Sequence, residues 1–413
     1  MFTNHLFYIM STSATAGNYG DDIRSDCLVG ITLNTSGGVK INLDSKIKSI
    51  YGRQMESLVA EILKFYGIKH VHVNIKDAGA LDFVLAARTE AAIQLVHPSK
   101  KEFLLPLIPE NQVIATKDRF RFTRIYLPGN SPKYMLNAGI HEPDGVILDL
   151  EDSVAPSKKL EARFIVRNAL RQVDFLGAER MVRINQLPAG LDDLKYIIPH
   201  NVHVVLIPKV ESKEQVLLVE EKIQSLSLEH DISSPVYLMP ILESALGIEN
   251  AFEIATASEN IVAMAIGLED YTADLGVNRT LGGQESEYAR TRLVNACKAA
   301  GIQPIDSVFS DVADMEALRR SVMHSRALGF EGIGCIHPRQ IEVVKECFNP
   351  TGSEIEKARS IVLAFEEAEK TGIGVITLGS KMIDPPVVKR ALKTIQLAEK
   401  LGLINSDWRN KNV

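Results

Sequence analysis

The sequence predicts an α/β protein in which a (β/α)8 TIM barrel follows a small N-terminal α/β sandwich. Two observations carry this. Between residues 121 and 337, eight short apolar runs alternate with helical patterns. Most runs end in charged or turn residues, as expected of parallel strands buried on both faces with functional tips. The first hundred residues have another rhythm: strand, strand, helix, strand, helix.

Composition sets the outer bounds. The chain has 413 residues, 46% hydrophobic and 24% charged, with net charge −6. Two or three domains, or one barrel plus a smaller module, fit that length. Interspersed charge of this sign gives no footprint for nucleic acid. No apolar run is long enough to span a bilayer. The opening MFTNHLFYIM lacks a basic segment, which excludes a signal peptide, and Met10 is as good a start as Met1. Cys27, Cys297, Cys335 and Cys347 are far apart without CxxC spacing. They read as free thiols in a reducing cytoplasm.

Residues 11–26 are rich in Ser, Thr, Gly and Asp and read as mobile. CLVGITL and VKINL, separated by 34–38, read as a hairpin. Met55, Leu58, Val59, Ile62, Leu63 and Tyr66 recur at helical spacing, and Gly67 is a natural stop. HVHVNI (70–75) alternates as a half-buried strand. A turn at Asp77 opens a second helix over 81–96. No nucleophile–base pair or metal cluster occurs here, so the chemistry is that of a binding or carrier module. Three prolines mark 96–119 as a linker.

The eight barrel strands are TRIYLP (123–128), GVILDLE (145–151), RMVRIN (180–185), HVVLIPK (203–209), VYLMPIL (236–242), IVAMAIG (261–267), PIDSVF (304–309) and GIGCIH (332–337). Helical patterns follow, for example over 158–172, 213–226, 287–300 and 314–328. The first strand ends in PGNSPK, not in the Gly-rich phosphate turn usual in open doubly wound sheets. Barrel tips face one mouth, and these carry Asn130, Asp149, Glu151, Arg183, Lys209, Glu243, Glu269, Asp270, Asp311 and His337. So many carboxylates need a metal or an arginine to balance them. Glu243 and Asp270, from neighbouring strands, suit Mg²⁺, which takes one or two carboxylates and leaves room for water and substrate. Capping or ion pairing is the other use for such strand-end acids. Lys209, alone among acids, should stay protonated, and His337 reads as a residue that orders its loop.

Two resemblances now appear. NIKDAGALDFVLAARTEAAI (74–93) resembles the acyl-carrier (gamma) subunit of citrate lyase, and the likeness covers most of residues 14–95. It implies a covalent phosphoribosyl-dephospho-CoA arm on a turn serine. Ser25 is the candidate, although it lies directly before Asp26 where that family's serine lies two before its Asp. An ordinary turn serine is the alternative. Residues 121–403 resemble the citrate lyase beta subunit and the malyl-CoA and citramalyl-CoA lyases of the HpcH/HpaI aldolase superfamily. LPGNSPK, DGVILDLEDSV, RMVRINQ, PILESALGI, AIGLEDYTADLG and GSKMIDPPVV carry it in order.

The resemblance implies a domain plan: carrier-like domain 1–98, linker 99–120, lyase barrel 121–378, and C-terminal lid and tail 379–413. It implies Mg²⁺ on Glu243 and Asp270, substrate on Glu243 and Arg183, and a catalytic acid at Asp384, carried on a lid that reaches a neighbouring subunit. Arg183 would stabilise developing negative charge. Asn130 and Lys133 would hold the CoA end, and Glu151 and Asp152 would order metal-bound waters. For Asp384, a helix N-cap before Pro385 and Pro386 is the other role. The implied reaction is retro-Claisen cleavage of a citryl-like 3-hydroxyacyl thioester. A transferase subunit of the citrate lyase alpha type and a homotrimer or hexamer are the implied partners. Two alternatives stand beside it: a free malyl-CoA or citramalyl-CoA lyase with a vestigial carrier domain, and a non-catalytic carrier or scaffold.

Overall fold

The computed structural model describes residues 12–370, 372 and 374–409. The choice between Met1 and Met10 lies outside them. The front domain comprises β1 (Ser13–Gly17), β2 (Cys27–Leu33), β3 (Val39–Asp44), α1 (Lys48–Phe65), β4 (Val71–Asp77) and α2 (Asp82–Val96). Its sheet order is β1-β2-β4-β3. The expected hairpin of β2 and β3 does not form. β4 enters between them, antiparallel to β2 and parallel to β3. Val71, Val73 and Ile75 are buried along β4, whereas β3 exposes most of its residues and so takes the edge. The stretch read as mobile also contains a strand, since β1 pairs along β2. Its small polar residues hide a ladder that backbone groups make. Asp77 opens α2 as expected, accepting from the amides of Gly79 and Ala80.

The barrel runs β5 (Thr123–Pro128), α3 (Pro132–Met135), β6 (Gly145–Asp149), α4 (Lys159–Gln172), β7 (Glu179–Arg183), α5 (Gly190–Asp193), β8 (Val204–Ile207) and α6 (Lys213–Glu229). It continues with β9 (Tyr237–Leu242), α7 (Ala245–Glu249), α8 (Ala251–Ala255), β10 (Ala263–Ile266), α9 (Leu268–Asp274), α10 (Glu287–Ala300), β11 (Gln303–Ile305), α11 (Met315–Leu328), β12 (Ile333–Cys335) and α12 (Arg339–Phe348). All eight expected strands are present and parallel, in the order β11-β10-β9-β8-β7-β6-β5-β12. A parallel bridge between Asp306 and Ile333 joins the last seam, where the Asp306 amide donates to the Gly332 carbonyl at 2.8 Å. Alternation along each strand divides two cores. Ile147, Met181, Leu206, Met239 and Ile241 fill the interior, and Ile125, Val146 and Val182 meet the outer helices.

The outer core does not stop at the domain boundary. One contiguous apolar cluster runs from Val29 and Ile62 of the front domain through Phe83 and Phe103 to Phe164 and Ile165 of the barrel. Residues 99–120 are no free tether. They lie along α4, where the Ile108 amide donates to the Arg171 carbonyl and Asn111 Nδ2 donates to the Leu170 and Val173 carbonyls. Chain laid on a folded surface must pair its backbone groups, and α4 supplies partners. The C-terminal unit differs. α13 (Gly352–Glu369), β13 (Ile376–Leu378), β14 (Lys381–Ile383) and α14 (Pro385–Lys400) share a separate apolar cluster. The unit with its own core therefore starts at α13 and not near residue 379. No described helix is long and apolar enough to cross a membrane. All four cysteines are free and buried.

Candidate active site

A cavity of about 410 Å³ opens at the C-terminal ends of the barrel strands. Asp149, Asp152, Arg183, Glu243, Glu269 and Asp270 are among the residues that line it. Of the strand-tip carboxylates expected at the mouth, Asp149, Glu243, Glu269 and Asp270 are thus brought together with Arg183, whereas Glu151 and Asp311 are not among the lining residues.

Arg183, at the tip of β7, is clamped. Its Nε and Nη2 donate to both carboxylate oxygens of Asp149 at 2.7 and 2.8 Å, from the tip of β6. Its Nη1 lies 3.0 Å from Glu151 Oε2 and 3.6 Å from Asp152 Oδ2, and its guanidinium lies 5.3 Å over the Tyr126 ring. Burial would raise the Asp149 carboxyl, but the Arg183 fork and the Ser153 hydroxyl hold it below the usual range. Arg183 is fixed and fully charged. Glu151 is pushed the other way, by burial and by Asp152.

Glu243 directly follows β9 and is 6% exposed. Burial, and then the charge of Asp270, push its carboxyl up to about 8, with Arg183 opposing. The Lys209 amide donates to Glu243 Oε2 at 3.2 Å. Asp270 sits in the first turn of α9, and the Lys209 ammonium lies 3.4 Å from its Oδ1. Burial weakens the Lys209 ammonium, yet Asp270 and the other acids outweigh it and raise its pKa, so it stays charged as expected. Glu269 turns toward Arg279 at 2.7 Å. Among the described residues no group of three or more His, Cys, Asp or Glu is set to hold a metal. The site instead offers two adjacent carboxylates whose mutual repulsion a divalent cation would relieve, a donor set that fits Mg²⁺ with substrate and water completing the shell.

Other predicted residues lie off this cavity. Asn130 is engaged by the front domain: Arg88 Nη1 donates to its Oδ1 at 2.6 Å and Nη2 to its carbonyl at 3.1 Å. The same guanidinium makes a two-pronged pair with Asp26 and reaches Glu161 on α4 at 2.9 Å. Lys133 is exposed, its ammonium over the Tyr134 ring. Ser25 adopts φ +56°, and its amide is held by the Ala78 carbonyl at 2.9 Å. Asp384 caps α14, accepting from the Val387 amide at 3.2 Å, and does not line the cavity. His337 Nδ1 accepts from the Arg339 amide, ordering its loop. Arg124 also lines the cavity and is not among the residues that the sequence patterns single out. A lone arginine inside an otherwise apolar strand was the available signal.

Residues 123–338 match the family model for HpcH/HpaI aldolase/citrate lyase. The chain belongs to the HpcH/HpaI aldolase/citrate lyase family. It is an enzyme, a carbon–carbon lyase. Residues 12–96 of this lyase match the model for the malonate decarboxylase delta subunit (MdcD), so the front domain is acyl-carrier-like. The lyase is 39% identical to the citrate lyase subunit beta of Leuconostoc mesenteroides subsp. cremoris over 70% of its own chain and 97% of that one. It is 33% identical to the mitochondrial citramalyl-CoA lyase of Rattus norvegicus over 67% of its chain and 86% of the relative. The fold of the lyase matches the crystal structure of protein CitE from Mycobacterium tuberculosis in complex with magnesium, acetoacetate and coenzyme A. The TM-score is 0.57 at 28% identity, covering 68% of this chain and 99% of that one.

Proposed function

We propose that the protein is a Mg²⁺-dependent lyase that cleaves a citryl-like 3-hydroxyacyl thioester into a keto acid and an acetyl thioester. The observation that carries this reading is that Glu243, Asp270 and the clamped Arg183 line one cavity. The magnesium and coenzyme A in the similar CitE structure support it.

Glu243 and Asp270 would hold the cation. Bound there, it would orient the substrate's hydroxyl and adjacent carboxylate and lower the hydroxyl pKa. Transfer of that hydroxyl proton to water forms the ketone, breaks the carbon–carbon bond and leaves its electron pair as a thioester enolate. Arg183, held rigid by Asp149, stabilises the enolate without reorganising. Glu151 and Asp152 order water beside the carboxylate pair. Asn130 and Lys133 hold the thioester's CoA end. Asp384 protonates the enolate carbon to give the acetyl thioester. Asp384 caps α14 away from its own cavity, so in this reading the acid comes from a second copy of the chain, and the family resemblance favours a trimer or hexamer. The four free thiols support a cytoplasmic setting.

The substrate reaches the site either on a phosphoribosyl-dephospho-CoA arm at Ser25, loaded by a transferase subunit, or as a free CoA thioester. One observation favours the second route. The front domain shares its core with the barrel and is tied to it by Arg88, so it is poorly placed to swing.

Assays with citryl, malyl and citramalyl thioesters, with and without EDTA, test the reading. Turnover that survives EDTA would sink the metal role, and inactivity on all three would favour a scaffold. Intact mass of protein from its native host decides whether Ser25 is modified.

A further inference from the structure

We propose that Arg124 binds a second carboxylate of the substrate at the floor of the barrel cavity. This inference rests on the lyase reading above and narrows it to acyl thioesters with one carboxylate more than the malyl and citramalyl types.

Alternation along β5 turns Arg124 and Tyr126 into the barrel while Ile125 and Leu127 face the helices. Arg124 is 1% exposed and lines the same cavity as Glu243 and Arg183. Among the described residues it makes no ion pair. Its Nη1 points at Met239 Sδ at 3.2 Å, a weak acceptor, and its Nε has no partner. Met239, Ile147 and Met181 make the nearby interior apolar.

The other deeply buried arginines are served differently. Arg88 pairs with Asp26 and Glu161, Arg121 with Glu179, Arg167 with Glu90, and Arg290 with Asp306. Arg180 donates to the carbonyls of Asn111 and Val113. The cations at the mouth are also engaged, Arg183 by Asp149 and Glu151, and Lys209 by Asp270. Burial brings the Arg124 guanidinium down only to about 10, so it is still charged at neutral pH. A buried charge without a partner is costly, and a planar fork is suited to a carboxylate. The open side of this one is the cavity, so the matching anion comes with the substrate.

The chemistry distinguishes candidate substrates. The citramalyl thioester carries a methyl on its carbinol carbon where the citryl thioester carries a carboxymethyl. Both offer the carboxylate that Glu243, Asp270 and a cation would share. Only the citryl type has a further carboxylate for Arg124. On the product side, oxaloacetate has it and pyruvate does not.

The test compares wild type, Arg124→Met and Arg124→Lys in two ways. The first is the ratio of kcat/KM for citryl-CoA over citramalyl-CoA. The second, which needs no turnover, is calorimetric binding of oxaloacetate and of pyruvate in the presence of Mg²⁺. Wild type should favour citryl-CoA and oxaloacetate. Arg124→Met should lower both preferences by about 100-fold, the upper range for one lost hydrogen-bonding partner of a charged group, and Arg124→Lys should recover part of them. Ligand-free Arg124→Met should melt no lower than wild type, because an apolar side chain replaces an unpaired charge. Equal wild-type affinity for oxaloacetate and pyruvate, or unchanged preferences in Arg124→Met, would overturn the proposal. If no thioester is turned over, the lyase reading fails, and the oxaloacetate–pyruvate comparison still decides Arg124.

Discussion

A β-carbon added to Gly267 would lie 2.4 Å from Oε1 of Glu243 and 2.7 Å from its Cγ. Gly267 has φ −108°, which any residue adopts, so space and not backbone freedom demands glycine here. Gly267→Ala should therefore fold, at an overpacking cost of about 1–3 kcal/mol. It should displace the Glu243 carboxylate and weaken Mg²⁺ binding in a calorimetric titration far more than it lowers the melting temperature. Unchanged Mg²⁺ affinity would remove Glu243 from the metal site.

The Glu243 carboxyl, raised to about 8, sets a pH dependence with a definite sign. Its folded value lies above its unfolded value of about 4.3, so folding favours the protonated form. The stability of the metal-free protein should fall as pH rises from about 4.3 to about 8. A cation needs the carboxylate, so Mg²⁺ binding should release a proton below pH 8 and tighten with rising pH, by up to about tenfold per unit. Titrations in buffers of different ionisation enthalpy measure the proton count. Binding without proton release would contradict the pair's role.

Arg88 joins Asp26 of the front domain to Asn130 and Glu161 of the barrel. Arg88→Ala leaves the buried Asp26 carboxylate without its cation and Glu161 with Lys158 alone, and should cost about 3–5 kcal/mol in denaturant unfolding. Because the apolar core is shared, the front domain and barrel should unfold together. Amides of α13 and α14, which have a separate core, should exchange hydrogen sooner. Independent melting of the front domain would show that the shared core does not couple the two.

Asp384 has a local job, capping α14, and a proposed chemical one. Asparagine caps about as well as aspartate but supplies no proton. Asp384→Asn should keep the melting temperature within a degree or two and reduce turnover by about 100-fold or more, the usual worth of a positioned acid. If the acid crosses between subunits, mixing Asp384→Asn with Arg183→Ala protein should restore part of the activity. Full activity in Asp384→Asn would leave only the cap.

Strand existence in the barrel was legible because runs such as YLMPIL and IVAMAIG are apolar throughout and end in charge. That pattern follows from burial on both faces, a property of the strand itself. That Glu243 and Asp270 would meet at one end of the barrel was legible for the same reason, since they follow neighbouring apolar runs. Pairing in the front domain was not. Whether β2 meets β3 or β4 depends on which strand buries both edges, and that is decided by partners remote in sequence. Asp384 could be recognised as a cap from its prolines, but sequence could not say that it stands apart from its own cavity.

The sequence by itself determined the eightfold alternation and the acidic tips around residues 237–271, since both depend on local period and residue type. Only the tertiary structure decided which side chains are satisfied. It gave Arg183 to Asp149, Lys209 to Asp270 and Arg88 to Asn130, and left Arg124 without an acidic partner among the described residues. Ion pairing depends on distances of a few ångströms between residues tens of positions apart, and no local pattern records them.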